Sequence, residues 1–437
     1  MLVSAAVLAA FLAFAPASRR ADAQTPEPLP SFAPALTPAP TPSPTVTPLP
    51  PPIWPPQDAA GNAHTTPPLP PVRLMVAPSP PGVLWLNPTD VMTVQAETHA
   101  GRLFVPVVVN GRRSLFLLDT ASPTTLDADA AADPQSSDTT LDSLQIGDLH
   151  FSGMTVKVAR IRPFAQTYLG WPADGIIGQD FFARYPVMID YGASLVTVFR
   201  TPAAANAAQP SGAFVLRMAS VRGFPAVDGS IDGVAGSFIL DTGLGGFVTL
   251  GLDFARDRHF LRSGDGLSDL WLAQPDGELP GRTVRLKTFA LGSASFDRPV
   301  VGIMTQQPDP KGLPDTPGVI GSELLQRFTV MLDAPAGSAA FAPRSGLAGV
   351  PFDRSGLWLI VRGDSIAVRS VVPRSPGDVA GLHGGDVIAQ LNGKPVGVGD
   401  LDVARALFAQ DGNASVDVAF VRGPIHRRTR VFLRNML

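Results

Sequence analysis

Residues 103–122, LFVPVVVNGRRSLFLLDTAS, and residues 224–243, FPAVDGSIDGVAGSFILDTG, decide the fold of this chain, because they repeat one layout. Each reads as an apolar strand, a tight turn at Asn110-Gly111 or Asp232-Gly233, and a second apolar strand that runs into an Asp-Thr dipeptide. Eight residues separate Gly111 from Asp119, and eight separate Gly233 from Asp241. A shared register over that length marks an internal duplication, which must be settled before any motif is read.

Working outward, residues 143–158 (SLQIGDLHFSGMTVKV) match residues 287–303 (KTFALGSASFDRPVVGI). Residues 173–199, with GIIG, match residues 316–341, with GVIG. Twelve residues separate Gly178 from Asp190, and twelve separate Gly321 from Asp333. The second half carries an insertion of 23 residues, expected as a polar loop within residues 256–281. Asp190 and Asp333 precede turn sequences and read as turn formers.

Composition bounds the rest. A length of 437 residues allows two or three domains. The net charge of −3 gives no electrostatic drive toward nucleic acid. With no cysteine, disulfides, thiolate metal sites and cysteine nucleophiles are excluded. The six histidines show no metal-ligand spacing, and neither a GxSxG elbow nor a phosphate-cradling glycine loop is present. No metal and no cofactor is expected. Residues 1–23 read as a signal peptide, implying export to the periplasm or the extracellular space, with an uncleaved anchor as the alternative; no stable membrane span is expected. Residues 24–90 read as a proline-rich disordered linker.

Two Asp-Thr loops on apolar strands, each followed by a hydrophobic pair before glycine, resemble the retropepsin-like and pepsin-like aspartic peptidases over Arg102 to Pro343. The resemblance implies a mainly β fold of two homologous β-barrel lobes, 91–205 and 206–345, in one monomeric chain. It assigns catalysis to Asp119 and Asp241, one charged and one protonated, acting on a water and a scissile peptide carbonyl. Thr120 and Thr242 would cross-brace the loops, and Ser122 would hydrogen-bond Asp119. Gly243 keeps the family pattern, whereas Ala121 departs from it and is costly if φ is positive. A flap is expected around IGDLHFSGMTV (146–156), with Tyr168 and Trp171 as subsite or core aromatics.

Residues 371–396, VVPRSPGDVAGLHGGDVIAQLNGKPV, resemble the middle of a bacterial PDZ domain, implying a small α+β domain over 350–437. By that resemblance Gly356, Leu357, Trp358 and Leu359 form the loop for a peptide carboxylate, and residues 401–410 the helix walling the groove. Trp358 stands where the family often has glycine. His426, Arg427, Arg428 and Arg430 read as decoration of a solvated strand. The expected function is an aspartic endopeptidase with a peptide-binding PDZ domain; the alternative is an inactive peptide-binding scaffold on the same fold.

Overall fold

The computed structural model describes residues 82–86, 88–261, 267–274, 277–306, 316–345, 352–410 and 414–437. The expected signal peptide and nearly all of the expected linker lie outside them. One part of that linker departs from expectation: Val83–Trp85 form a strand paired with Phe151, His150 and Leu149. The Val-Leu-Trp triplet carries no proline, so its backbone can pair at a sheet edge.

Both founding turns adopt the left-handed backbone at both central residues, with φ of 49° and 78° at Asn110-Gly111 and 48° and 78° at Asp232-Gly233. That geometry matches the twist of the strands it joins. It closes Arg102–Val109 onto Arg112–Leu118 in one lobe and Phe224–Ile231 onto Val234–Leu240 in the other. The turn side chains tie down the next hairpin in the same way. Asn110 accepts from the Ser143 N–H at 3.0 Å, and Asp232 accepts from the Lys287 and Thr288 N–H groups at 2.8 Å each.

The strand entering each Asp-Thr loop then pairs in parallel with the later glycine strand, Leu118 opposite Ile177 and Leu240 opposite Ile320. A third strand, Thr125–Asp127 or Val248–Leu250, runs antiparallel on its other side. The lobes are joined by a shared sheet in which Val187–Asp190 pairs antiparallel with Phe328–Asp333. Val91–Gln95 closes one end of that sheet, and toward the other Phe214–Val221 carries it on into the second lobe by pairing with Phe224–Ile231. Alternation along these strands feeds Val187, Ile189, Val330 and Leu332 into one core, all nearly inaccessible. Asp190 and Asp333 accept from N–H groups of their own turns, as their positions imply.

Two expectations fail here. The hairpin Asp138–Ile146 with Leu149–Ala159 is no flap, because Ile146, Leu149 and Phe151 are core residues. Its turn sits on Met92, whose sulfur accepts from the Asp148 N–H at 2.9 Å. The inserted segment is not simply a polar loop, since Leu267–Gln274 and Gly277–Arg285 form an antiparallel hairpin on the edge of the second lobe's sheet. Its Glu278 reaches out of that lobe to Tyr168 and Arg369.

After residue 352 the chain builds a separate core under a sheet ordered Leu357–Arg362, Ser365–Val371, Val387–Leu391, Ser415–Arg422, Ile425–Phe432. Helix Leu401–Phe408 buries Leu401, Ala404 and Phe408 on that core at helical spacing. Short helix Pro376–Val379 starts with proline after Ser375, whose hydroxyl caps the Asp378 N–H.

Candidate active site

The position of each candidate aspartate follows from its strand. The Asp119 N–H donates to the Ile177 carbonyl and the Asp241 N–H to the Ile320 carbonyl, both at 3.0 Å, so each loop leaves its sheet from an anchored residue. The glycine strands press on the loops from behind. A Cβ at Gly178 would lie 2.3 Å from the Ser122 carbonyl oxygen, and one at Gly321 would lie 2.5 Å from that of Gly246, so only glycine fits.

Between the loops the two threonines make four hydrogen bonds, two of them to each other. The Thr120 and Thr242 N–H groups each donate to the other's hydroxyl at 3.1 Å. Those hydroxyls donate onward to the Leu240 carbonyl at 2.7 Å and the Leu118 carbonyl at 2.8 Å. Both threonines are buried, so every one of these groups needs its partner.

The brace holds Asp119 and Asp241 in one site, close enough that each acts on the other's ionisation. Burial raises both acids above the ordinary carboxylate range, and Asp241 is raised further by the charge of Asp119. The surroundings differ. Asp119 accepts from the Ser122 hydroxyl at 2.8 Å and the Ala121 N–H at 2.9 Å. One oxygen of Asp241 accepts from the Gly243 N–H at 2.9 Å and the Leu244 N–H at 2.8 Å. Of the two, Asp241 is pushed further toward its protonated form.

Ala121 carries no backbone strain, because it stays outside the left-handed region, as does Gly243. What glycine supplies at the second loop is room. A Cβ at Gly243 would lie 2.4 Å from the nearer Asp119 carboxylate oxygen.

Sequence reading missed two residues beside this pair. Arg102 is half-buried, donates from Nε to the Gly243 carbonyl at 3.2 Å and from Nη1 to the Ala100 carbonyl at 2.6 Å, and lowers the pKa of both aspartates. Burial pulls its own pKa down to about 10. Glu323 is buried nearby with one carboxylate oxygen lacking a hydrogen-bond partner among the described residues, and desolvation pushes it up to about 7. Its lobe-one equivalent, Asp180, accepts from the Thr124 N–H at 2.7 Å. An acid two residues after the glycine in both repeats was the available signal for Glu323. An arginine at the start of an apolar strand gave none for Arg102.

Tyr168 and Trp171 do not line the dyad. Tyr168 stacks on Trp358 with ring centroids 5.8 Å apart, and Trp171 on His99 at 4.1 Å. The expected carboxylate loop is also committed. Asp353 accepts from the N–H groups of Ser355 and Gly356 and from the Ser355 hydroxyl, which in turn accepts from the Leu357 N–H. Leu357 and Leu359 point into the domain core.

Mainly β lobes, repeated about two cross-braced Asp-Thr loops, give this chain its resemblance to the retropepsin-like and pepsin-like aspartic proteases, with a PDZ domain following. Residues 367–422 match the PDZ domain family model. Among solved structures, the chain is similar to a retropepsin-like aspartic protease from Rickettsia conorii, at 18% identity and a TM-score of 0.24, covering 30% of this chain and 89% of that one. It is also similar to an aspartic proteinase from Irpex lacteus, at 14% identity and a TM-score of 0.37, covering 58% of this chain and 98% of that one. No curated protein matches the chain.

Proposed function

We propose that the chain is an aspartic endopeptidase, and the observation that carries this is the threonine brace that sets Asp119 and Asp241 together in one site. In this reading charged Asp119 takes a proton from a water lying between the carboxyls, and that water attacks the scissile carbonyl carbon. Asp241 donates its proton toward the carbonyl oxygen, so the tetrahedral oxyanion forms neutralised. As the C–N bond breaks, Asp119 gives its proton to the leaving nitrogen and Asp241 takes one back from a hydroxyl of the intermediate, which restores the pair for a fresh water. No covalent intermediate enters. The Ser122 hydroxyl and the Ala121 N–H favour the charged form of Asp119, which is the form the first step uses.

The substrate is an extended, unfolded polypeptide. Cleavage of such a chain should be lost in both Asp119→Asn and Asp241→Asn while folding is retained. Cleavage that persists in either variant overturns the assignment, and absence of cleavage by the unmodified chain across acidic to neutral pH favours a peptide-binding scaffold.

A further inference from the structure

The PDZ groove already has an occupant. Its strand wall, Leu357–Arg362, lies on the open edge of the sheet, and helix Leu401–Phe408 forms the facing wall. The lobe-one segment Ala165–Gly170 is seated there. Tyr168 stacks on Trp358 of the strand, nearly parallel at 18°. Gly170, at a φ of 74°, lies so near the helix that a Cβ would be 3.1 Å from a Leu401 methyl. Arg405 of the helix is half-buried and fastens the segment to both walls, donating to the Tyr168 carbonyl at 2.9 Å and the Leu359 carbonyl at 3.0 Å. The Leu359 carbonyl belongs to the strand edge on which an added peptide strand would have to pair. At the end of the groove Asp353 takes the Gly356 N–H and the Ser355 hydroxyl takes the Leu357 N–H, two donors of the loop expected to hold a terminal carboxylate.

The occupant is also held from the far side. The Tyr168 hydroxyl donates to Glu278 at 2.6 Å, and Arg369 grips the same carboxylate through two hydrogen bonds of 2.9 and 3.1 Å. A second tie runs from the groove helix to the dyad loop. Asp402 accepts from the Ala100 N–H at 2.7 Å, the Ala100 carbonyl accepts from Arg102, and Arg102 holds the Gly243 carbonyl.

We propose that the PDZ domain is self-liganded: Ala165–Gly170 fills its groove and Asp353 its carboxylate loop, making the domain an intramolecular clamp on the peptidase lobes. A peptide reaches this groove only in molecules where the segment has left it, so its apparent affinity is lowered by the fraction of such molecules. This inference concerns the groove and does not depend on cleavage at the dyad.

The test uses the full chain, which has no cysteine of its own. Tyr168→Cys combined with Trp358→Cys, treated with a short bismaleimide, should give an intramolecular cross-link under native conditions that is lost in denaturant. Tyr168→Cys with Phe432→Cys, on the opposite edge of the sheet, should give none. No cross-link in the first pair, or an equal one in the second, overturns the proposal. Because the double variant can fail to fold, hydrogen exchange on the unaltered chain provides the second measurement. Amides of 165–169 and 357–362 should open together in low denaturant, and Trp358→Ala should speed both by a common factor on the order of ten. Independent opening of the two segments overturns the clamp.

Discussion

Thr120 and Thr242 bind each other symmetrically, each N–H on the other's hydroxyl at 3.1 Å, although the loops they belong to are no longer identical. The brace therefore does not depend on the residue after threonine, which is why Ala121 is tolerated. Thr120→Val or Thr242→Val should each destabilise the chain by about 1–3 kcal/mol, because buried N–H and C=O groups lose their partners. The double variant should cost less than the sum, since the four bonds form one network. Urea unfolding of the three variants checks this, and full additivity would show the loops to be independent.

Gly243→Ala and Ala121→Gly should behave oppositely. The first drives a methyl into Asp119, with a Cβ 2.4 Å from its carboxylate oxygen, and should lower kcat/KM by on the order of 100-fold through misplacement of the dyad. The second keeps the N–H that Asp119 accepts and should cost only about 0.5–1 kcal/mol of stability, through a looser unfolded chain. Steady-state kinetics and thermal unfolding on both variants separate the two effects.

The Ser122 hydroxyl lowers the pKa of Asp119, so Ser122→Ala should raise it. Activity that needs Asp119 charged is then lost at a higher pH on the acidic side. The acidic limb of the kcat/KM profile should move toward neutral pH, with the basic limb, set by the Asp241 proton, moving less. An acidic limb that stays fixed or moves the other way would remove Asp119 from the charged role.

Glu323 has a folded pKa of about 7 against an ordinary value of 4.5. The fold thus favours its protonated form, and stability falls as pH rises from 4.5 toward 7, then levels off. Glu323→Gln should leave stability at pH 4 unchanged and raise it by on the order of 3 kcal/mol at pH 8. Urea midpoints at the two pH values decide it; a glutamine variant less stable at pH 8 would mean that Glu323 is charged and paired with Arg102 or Arg327.

What could be read from sequence was whatever covalent spacing encodes. The turn at Asn110-Gly111, the strand into Asp119 and the glycine at Gly178 lie within one repeat, so matching it to Asp232, Asp241 and Gly321 transferred position as well as type. The errors fall where partners are distant along the chain. The hairpin at 138–159 alternates as a flap would, and only Met92 beneath its turn makes it core. The polar insertion conceals a hairpin because edge strands tolerate polar composition. Tyr168 and Trp358 are 190 positions apart, and no local pattern announces a stack across a domain boundary.

The sheet shared by the lobes has a consequence for quality control in the cell. Val187–Asp190 has Phe328–Asp333 as its neighbour on one side, and that pairing cannot form until the last part of the second lobe has been synthesised. Until then a folded first lobe presents an unpaired, strongly apolar strand edge, the geometry that recruits strands from other chains. Truncation anywhere between residues 206 and 327 should therefore yield insoluble aggregates rather than a soluble half-molecule.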